Sequence, residues 1–204
     1  VGGNGRVEAW HYNRGTRQIT RQWASAVYGG NVTSPVLSAD YTRAYIQTSN
    51  GRLHALDTSS GERAWVVDLG YTTTTPKEPV VTEFGYIMPG GDVADSPELG
   101  YVGILRDIGD TFEWSFRGLR YAPLSQPAAG RGNRFALMAQ RLSDSQPVML
   151  VVNPFHGVIS ELPWTEGALP TDYTGVTVRE DGWMFVGTSG ASTFKAYRPI
   201  WPQF

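Results

Sequence analysis

The sequence predicts an all-β fold made of repeats, each with four short strands. Four tryptophans, Trp23, Trp65, Trp114 and Trp164, close similar segments at spacings of 42, 49 and 50 residues, and a nearly fixed period of this length is typical of repeat architectures. The 204-residue chain also contains 24 Gly and 13 Pro, which favour many tight turns over long helices.

The clearest repeat ends at the second tryptophan. Residues 51–65 read Gly-Arg-Leu-His-Ala-Leu-Asp-Thr-Ser-Ser-Gly-Glu-Arg-Ala-Trp. An alternating run, a turn containing Asp57 and Gly61, and a second run are typical of a β-hairpin. Weaker copies of its first half recur along the chain. Their equivalent positions are Ala9, Ala55, Leu105, Val151 and Ala196, at steps of 46, 50, 46 and 45 residues.

Two further strand-like runs precede the hairpin in the later repeats. Pro35, Pro79 and Pro127 fall at the same place in three of these repeats. We expect this place to be the first residue of a strand, where a missing N–H is tolerated. Four short strands in roughly 46 residues predict the blades of a β-propeller. A single propeller domain, or part of one, would then cover residues 1–204. Its blade portions are approximately 5–23, 34–69, 78–117, 125–164 and 174–198.

The tryptophans are interpreted as structural residues of these blades. A four-stranded sheet covers neither of its faces until neighbouring blades stack on it. Small residues such as Ala55 would let the sheets approach closely, and the tryptophans would fill the wider outer gaps.

The strand count leaves the ring open. The first portion supplies two strands, the last supplies three, and both contain the same third strand, so they cannot merge into one blade without a leftover strand. We expect four to five blades, arranged either as a closed five-bladed ring with a displaced end or, as we favour, as an arc of a seven- or eight-bladed ring. An arc exposes a blade face and predicts a tightly bound protein partner or the remaining blades. Because the chain starts at Val1 and not at Met, we also expect a removed leader or a processed longer chain.

Composition and motifs exclude several function classes. The absence of Cys excludes disulfides, thiolate metal sites and cysteine nucleophiles. A net charge of −2, with 15 Arg and 2 Lys scattered along the chain, argues against nucleic acid as the partner. No apolar run approaches the roughly 20 residues of a membrane span. No histidine has metal-ligand spacing and no serine nucleophile motif occurs, so no catalytic residue is predicted.

One polar segment is a weak candidate for a metal site. Residues 89–98 interrupt the third blade, and Asp92, Asp95 and Glu98 could collect oxygen ligands for Ca²⁺, although their spacing fits no EF-hand loop. A general acid and base pair is an alternative use of the same carboxylates. A solvated loop is the interpretation we favour, and no other cofactor is expected.

Ala55, Asp57, Gly61 and Trp65 carry a resemblance to a known family. Ala-x-Asp, a turn ending in Gly and a closing Trp resemble the repeat of the pyrroloquinoline-quinone-like (PQQ-like) propeller superfamily. The resemblance implies a propeller fold and, by family habit, a periplasmic or secreted location. The family contains quinoprotein dehydrogenases and also scaffolds that bind no quinone, such as bacterial outer-membrane assembly lipoproteins. With no Cys and no carboxylate that matches the family's catalytic Asp, the chain resembles the scaffold type.

The leading functional hypothesis is a non-catalytic scaffold that mediates protein–protein interaction or assembly. The alternative is a propeller that binds a small ligand or a glycan through aromatic residues such as Tyr71, Tyr101 or Tyr121. A hydrolase that uses the 92–98 loop, or a fragment of a quinoprotein dehydrogenase, is a third interpretation.

Overall fold

Five antiparallel β-sheets follow one another along the chain in a computed structural model, which describes residues 2–3, 5–26, 28–72, 76–91, 102–118, 120–164, 172–179, 181–189 and 194–197. These residues contain nineteen β-strands and no α-helix. The predicted all-β fold with antiparallel four-stranded sheets is therefore confirmed.

The first three sheets each form from consecutive strands. The first contains β1 (Gly2–Gly3), β2 (Arg6–Asn13) and β3 (Gln18–Ala24). The second contains β4 (Val36–Leu37), β5 (Arg43–Thr48), β6 (Arg52–Asp57) and β7 (Arg63–Asp68). The third contains β8 (Val80–Val81), β9 (Tyr86–Met88), β10 (Val102–Asp107) and β11 (Phe112–Gly118). Every strand pairs with its neighbour in sequence, as antiparallel hairpins require.

The last two sheets follow the same scheme with one addition. The fourth contains β12 (Tyr121–Pro123), β13 (Ala128–Gly130), β14 (Arg134–Arg141), β15 (Pro147–Asn153) and β16 (Gly157–Pro163). The fifth contains β17 (Asp172–Val178), β18 (Met184–Ser189) and β19 (Phe194–Tyr197). Strand β12 was not predicted from the sequence. It pairs with the end of β14 that lies beyond β13, because the eight-residue β14 has backbone groups that the three-residue β13 cannot reach.

Short polar side chains close the hairpins. Asp57 accepts hydrogen bonds from the N–H groups of Ser59 at 2.8 Å and Ser60 at 3.1 Å. Asn13, Asp107 and Asn153 accept equivalent bonds, each from the N–H two residues further on. These residues favour turns because their side chains satisfy local backbone donors. Each of Pro35, Pro79 and Pro127 directly precedes the first strand of a hairpin, β4, β8 or β13.

The core of the described residues consists of four clusters, and each lies mainly between two successive sheets. Val7 packs with Ile46 and Leu56 between the first and second sheets. The second and third sheets bury Ala55 and Leu105 together. The other two clusters lie between the third and fourth sheets, with Ile104, Phe135 and Leu137, and between the fourth and fifth, with Met149, Met184 and Val186. Within the described ranges the five sheets pack in the order of the sequence, and no buried cluster joins the fifth sheet to the first.

Candidate functional site

Trp23 ties the first sheet to the second. It lies opposite Ala9 in the β2–β3 pair, and its ring covers Gly61 so closely that a Cβ there would lie 2.5 Å from the ring carbon Cε3. Its indole N–H donates to the carbonyl oxygen of Thr58 at 2.7 Å. Gly61 also has a φ of +76°, a conformation that favours glycine. The turn after Asp57 is therefore shaped to receive the tryptophan of the preceding sheet.

Phe116 makes the same kind of contact between the third and fourth sheets, two interfaces further on. It lies opposite Ile104, immediately before a bulge, and a Cβ on Gly157 would lie 2.9 Å from its Cε2. Trp114 instead lies opposite Leu105, and its ring packs edge-on against Phe112 with centroids 6.2 Å apart. Phe116 could not be found from the sequence, because the position of a bulge cannot be read from spacing. An aromatic residue two positions after the repeat tryptophan was the available signal.

The other two tryptophans are buried between sheets in different ways. Trp65 is 6% exposed, lies opposite Ala55 and packs on Phe112 of the third sheet at 5.3 Å between centroids. Trp164 is equally buried but lies beyond the end of β16, between the fourth and fifth sheets, with the Lys195 Nζ 3.9 Å from its ring centroid. Ser160, and not Trp164, lies opposite Val151.

The remaining repeat residues lie in strands or bind the backbone of a turn. Ala55 is fully buried between the second and third sheets, and Ala196 lies exposed in β19 opposite Phe185. Asp57 accepts a hydrogen bond from the Arg43 guanidinium at 3.0 Å. Hydrogen bonds from the side chain and backbone of Ser59, the largest causes, lower the pKa of Asp57 to about 2. Its carboxylate is therefore ionised and already bonded.

Only two of the candidate ligand-binding residues, Tyr71 and Tyr121, lie within the described residues. Asp92, Asp95, Glu98 and Tyr101 lie outside the described residues. Tyr71 is only 4% exposed, and its hydroxyl donates to the carbonyl of Gly90 at 2.9 Å, so its ring is not available to stack on a ligand.

Tyr121 is half-buried, and its hydroxyl donates to Glu161. Burial, and then the bond to Glu161, raise the pKa of Tyr121 to about 12. This tyrosine stays neutral at ordinary pH, with its hydroxyl bonded within the sheet.

A charged cavity of about 350 Å³ lies between the second and third sheets. Arg43 bridges two carboxylates there, with Nη1 3.0 Å from Asp57 and Nε 3.9 Å from Asp107. Tyr45 donates its hydroxyl hydrogen to Asp107 at 2.8 Å; burial, and then Asp107, raise the pKa of Tyr45. Asp57 and Asp107 are thus each paired with Arg43, and Asp107 with Tyr45 as well.

Two further chemical features bear on function. Among the described residues, no group of three or more His, Asp or Glu side chains could hold a metal ion. Nor does this part of the chain contain a helix of the length and apolarity needed to cross a membrane.

The first sheet exposes an aromatic face, and the fifth sheet has half-buried aromatic residues. Tyr12 lies opposite Ile19, and Trp10 lies two residues earlier on the same side; they are 53%, 65% and 52% exposed. Val7, on the other face, packs against the second sheet. In the fifth sheet Phe185 alternates with the buried Met184 and Val186, and Trp183 stacks on it with centroids 6.3 Å apart. We call the surface formed by Trp10, Tyr12 and Ile19 the outer face of the first sheet.

Comparison with known proteins establishes the fold and a distant relative. No protein-family model matches the chain. The curated Protein Rv3035 of Mycobacterium tuberculosis is 33% identical over 183 residues, which cover 87% of the chain and 42% of that protein. The chain thus spans less than half the length of the curated relative it matches.

Solved structures of low sequence identity share its architecture. Sqt1 of Saccharomyces cerevisiae gives a TM-score of 0.74 at 11% identity, covering 97% of the chain and 55% of Sqt1. The C-terminal WD40 domain of Sif2 gives 0.67 at 11% identity, covering 96% and 52%. The β-propeller domain of Myceliophteria thermophila Cps50 (Swd1) gives 0.58 at 12% identity, covering 83% and 54%. The chain therefore has a β-propeller fold and spans about half of each of these structures.

Proposed function

We propose that this chain is a non-catalytic protein-binding scaffold, built as an arc of a propeller. The observation that carries the proposal is the outer face of the first sheet, where Trp10, Tyr12 and Ile19 are each more than half exposed. Fully burying a large apolar side chain contributes on the order of 1.5–3 kcal/mol. Clusters of such residues on a soluble protein mark interaction sites.

The occupant that best fits this face is another antiparallel sheet. Every described interface in the series is made by two sheets packed face to face, and propellers typically have 4–8 blades. A ring of eight blades has room for three sheets besides these five. Two copies of the chain would supply ten sheets, which is more than such a ring holds. The mycobacterial relative is more than twice as long as the region it shares with the chain, which is enough length for additional blades in a protein of this kind.

The PQQ-like repeat is the blade type we assign. The four residues that carry the resemblance all have structural roles. Ala55 is buried in a strand and Trp65 is buried at an interface between sheets. Asp57 binds the backbone of its turn, and Gly61 contacts the ring of Trp23 in the preceding sheet. This use of the residues supports a scaffold, since none is left over for chemistry. The net charge of −2 favours a protein over nucleic acid as partner. Periplasmic or secreted location is part of the proposal and follows the family's habit.

Site-specific photocrosslinking in the native cell tests the scaffold. Tyr12 is replaced by p-benzoylphenylalanine, an aromatic residue of related shape, and the matched control carries the same residue at Tyr41, which is 71% exposed in the β4–β5 turn. We expect Tyr12, and not Tyr41, to give crosslinked peptides from a segment with the same four-stranded repeat. Equal crosslinking from both positions, or peptides from this chain alone, would contradict the proposal.

A further inference from the structure

The first hairpin extends beyond the second sheet. Its turn begins at Asn13, four residues after the repeat position Ala9. The turn of the second sheet begins at Asp57, only two residues after the equivalent Ala55. The first hairpin is therefore longer by two residue pairs, which places its tip about 7 Å further out at the rise of an extended strand. Residues 10–22 are exposed on both faces of the hairpin, and we call them the arm.

The turn at the tip of the arm has an arginine where two other turns have glycine. The side chain of Asn13 accepts hydrogen bonds from two N–H groups of the turn, at 2.9 and 3.1 Å, and these bonds hold the turn in shape. Arg17, four residues after Asn13, has a φ of +56°. In the turns of the second and fourth sheets this position is Gly61 or Gly157, each in contact with a ring of the preceding sheet. The first turn instead offers a guanidinium group to a partner that packs beside it.

The arm carries positive charge that the described residues do not neutralise. It contains Arg14, Arg17 and Arg21 and no Asp or Glu, so its charge of +3 leaves −5 for the rest of a chain whose net charge is −2. Among the described residues, the guanidinium groups of Arg14 and Arg17 have neither a hydrogen bond nor an ion pair. Arg21 lies 3.4 Å from Glu8, and these two side chains are 53% and 25% exposed. Arg14 and Arg17 are therefore available to a partner.

The free arginines directly adjoin the outer face of the first sheet. Tyr12 and Ile19 form the last cross-strand pair but one before the turn, and Arg14 and Arg17 lie in that turn. A partner that covers the aromatic residues and continues along the same two strands reaches the arginines next.

We propose that the arm binds an acidic segment of the protein partner, in which Asp or Glu side chains follow the part that covers the outer face of the first sheet. Guanidinium groups pair with carboxylates through two parallel hydrogen bonds, and the fixed turn holds the backbone that bears Arg14 and Arg17. A long polyanion such as nucleic acid would also meet the charge of −5 on the rest of the chain, which opposes its binding. This inference names the partner's chemistry and rests on the proposed scaffold function.

Binding of a labelled hexaglutamate peptide, followed by fluorescence anisotropy at low ionic strength, tests the inference. The test variant is Arg14→Gln and Arg17→Gln together. The matched control is Arg52→Gln and Arg120→Gln, which removes the same charge at exposed arginines elsewhere. We expect the test variant to bind at least about tenfold more weakly than the wild type, and the control to bind within about twofold. A hexaglutamine peptide should not bind.

A second variant, Arg17→Gly, keeps the test valid if thermal unfolding shows that the double variant is unstable. Glycine accepts the positive φ at position 17, so the turn should keep its stability while one of the two free charges is lost. We expect this variant to bind hexaglutamate at least about threefold more weakly than the wild type.

Three outcomes would overturn the inference. They are equal weakening by the test and control variants, equal binding of hexaglutamine, and arm-dependent binding of oligothymidylate or of phosphatidylglycerol vesicles that is tighter than that of hexaglutamate. Crosslinking from Tyr12 separates the two proposals. If it still gives peptides of the repeat while hexaglutamate fails to bind, only the acidic-segment inference is lost; if those peptides are absent while hexaglutamate still binds, the scaffold is lost.

Discussion

His54 is a buried titratable side chain at the interface of the first two sheets. It is 2% exposed, its ring lies 4.5 Å from the ring of Tyr28, and neither ring nitrogen has a hydrogen-bond partner. Burial, and then the charges of Arg63 and Arg52, lower the pKa of His54 to about 4. The folded protein therefore holds this histidine neutral, and nothing at the interface compensates its protonation.

We expect the stability of the protein to fall in mild acid because of His54. Its pKa is about 4 in the folded state against 6.5 in the unfolded chain, so below pH 6.5 the unfolded state binds the proton first. Stability that is present above pH 6.5 is lost as the pH falls toward 4, by on the order of 3 kcal/mol. Urea unfolding across this range measures the loss. His54→Leu should flatten the profile, and His156→Gln, at an exposed turn residue, should leave it unchanged; an unchanged profile in His54→Leu would refute the assignment.

At the scale of the element, the turns of two hairpins, in the second and fourth sheets, each receive an aromatic ring from the preceding sheet. Trp23 covers Gly61 and Phe116 covers Gly157. The close approach of the ring leaves no space for a Cβ. Both glycines also have a positive φ, which independently favours glycine. One small residue thus sets both the turn and the distance between two sheets.

Gly61→Ala should separate these two requirements when it is compared with Gly85→Ala. The two glycines have nearly equal φ, +76° and +78°, but a Cβ at position 61 meets the Trp23 ring whereas one at position 85 meets nothing within 4 Å. We expect Gly85→Ala to cost about 1 kcal/mol from backbone strain, and Gly61→Ala to cost about 1–3 kcal/mol more from overpacking. Urea unfolding of both variants gives the comparison. Equal costs would show that the ring moves aside freely.

The hairpins could be predicted from sequence because their signals are local. Asp57 and Gly61 mark the turn, and Ala55 and Trp65 mark the paired strands, so residues 51–65 were assigned correctly as a hairpin. The partner of Gly157 could not be predicted, since it depends on the bulge between Ile104 and Leu105, which changes the face a side chain occupies. The burial of Tyr71 was missed for a related reason: it depends on contacts with a neighbouring sheet, which spacing within one repeat does not contain.

At the scale of the whole molecule, the described sheets pack in the order of the sequence, and each is stabilised mainly by its neighbours. In such repeat proteins, stability is approximately the sum of the stability of each unit and of the interfaces between adjacent units. The first sheet has one interface among the described residues, on the side of Val7, and its other face is exposed. The fourth sheet has two, with Leu137 buried toward the third and Met149 toward the fifth.

Substitutions at the end and in the middle of the series should therefore destabilise different numbers of sheets. Val7→Ala removes a buried contact of the terminal interface, and we expect it to cost about 2 kcal/mol and to raise hydrogen exchange in the first sheet alone. Leu137→Ala should cost about 2–5 kcal/mol and raise exchange in the third, fourth and fifth sheets together, because a central unit cannot open without exposing both neighbours. Hydrogen exchange followed by mass spectrometry measures both. A Val7→Ala variant that exchanges as fast in β14 and β15 as in β2 would show that the series unfolds as one unit, and the separate treatment of the first sheet would then fail.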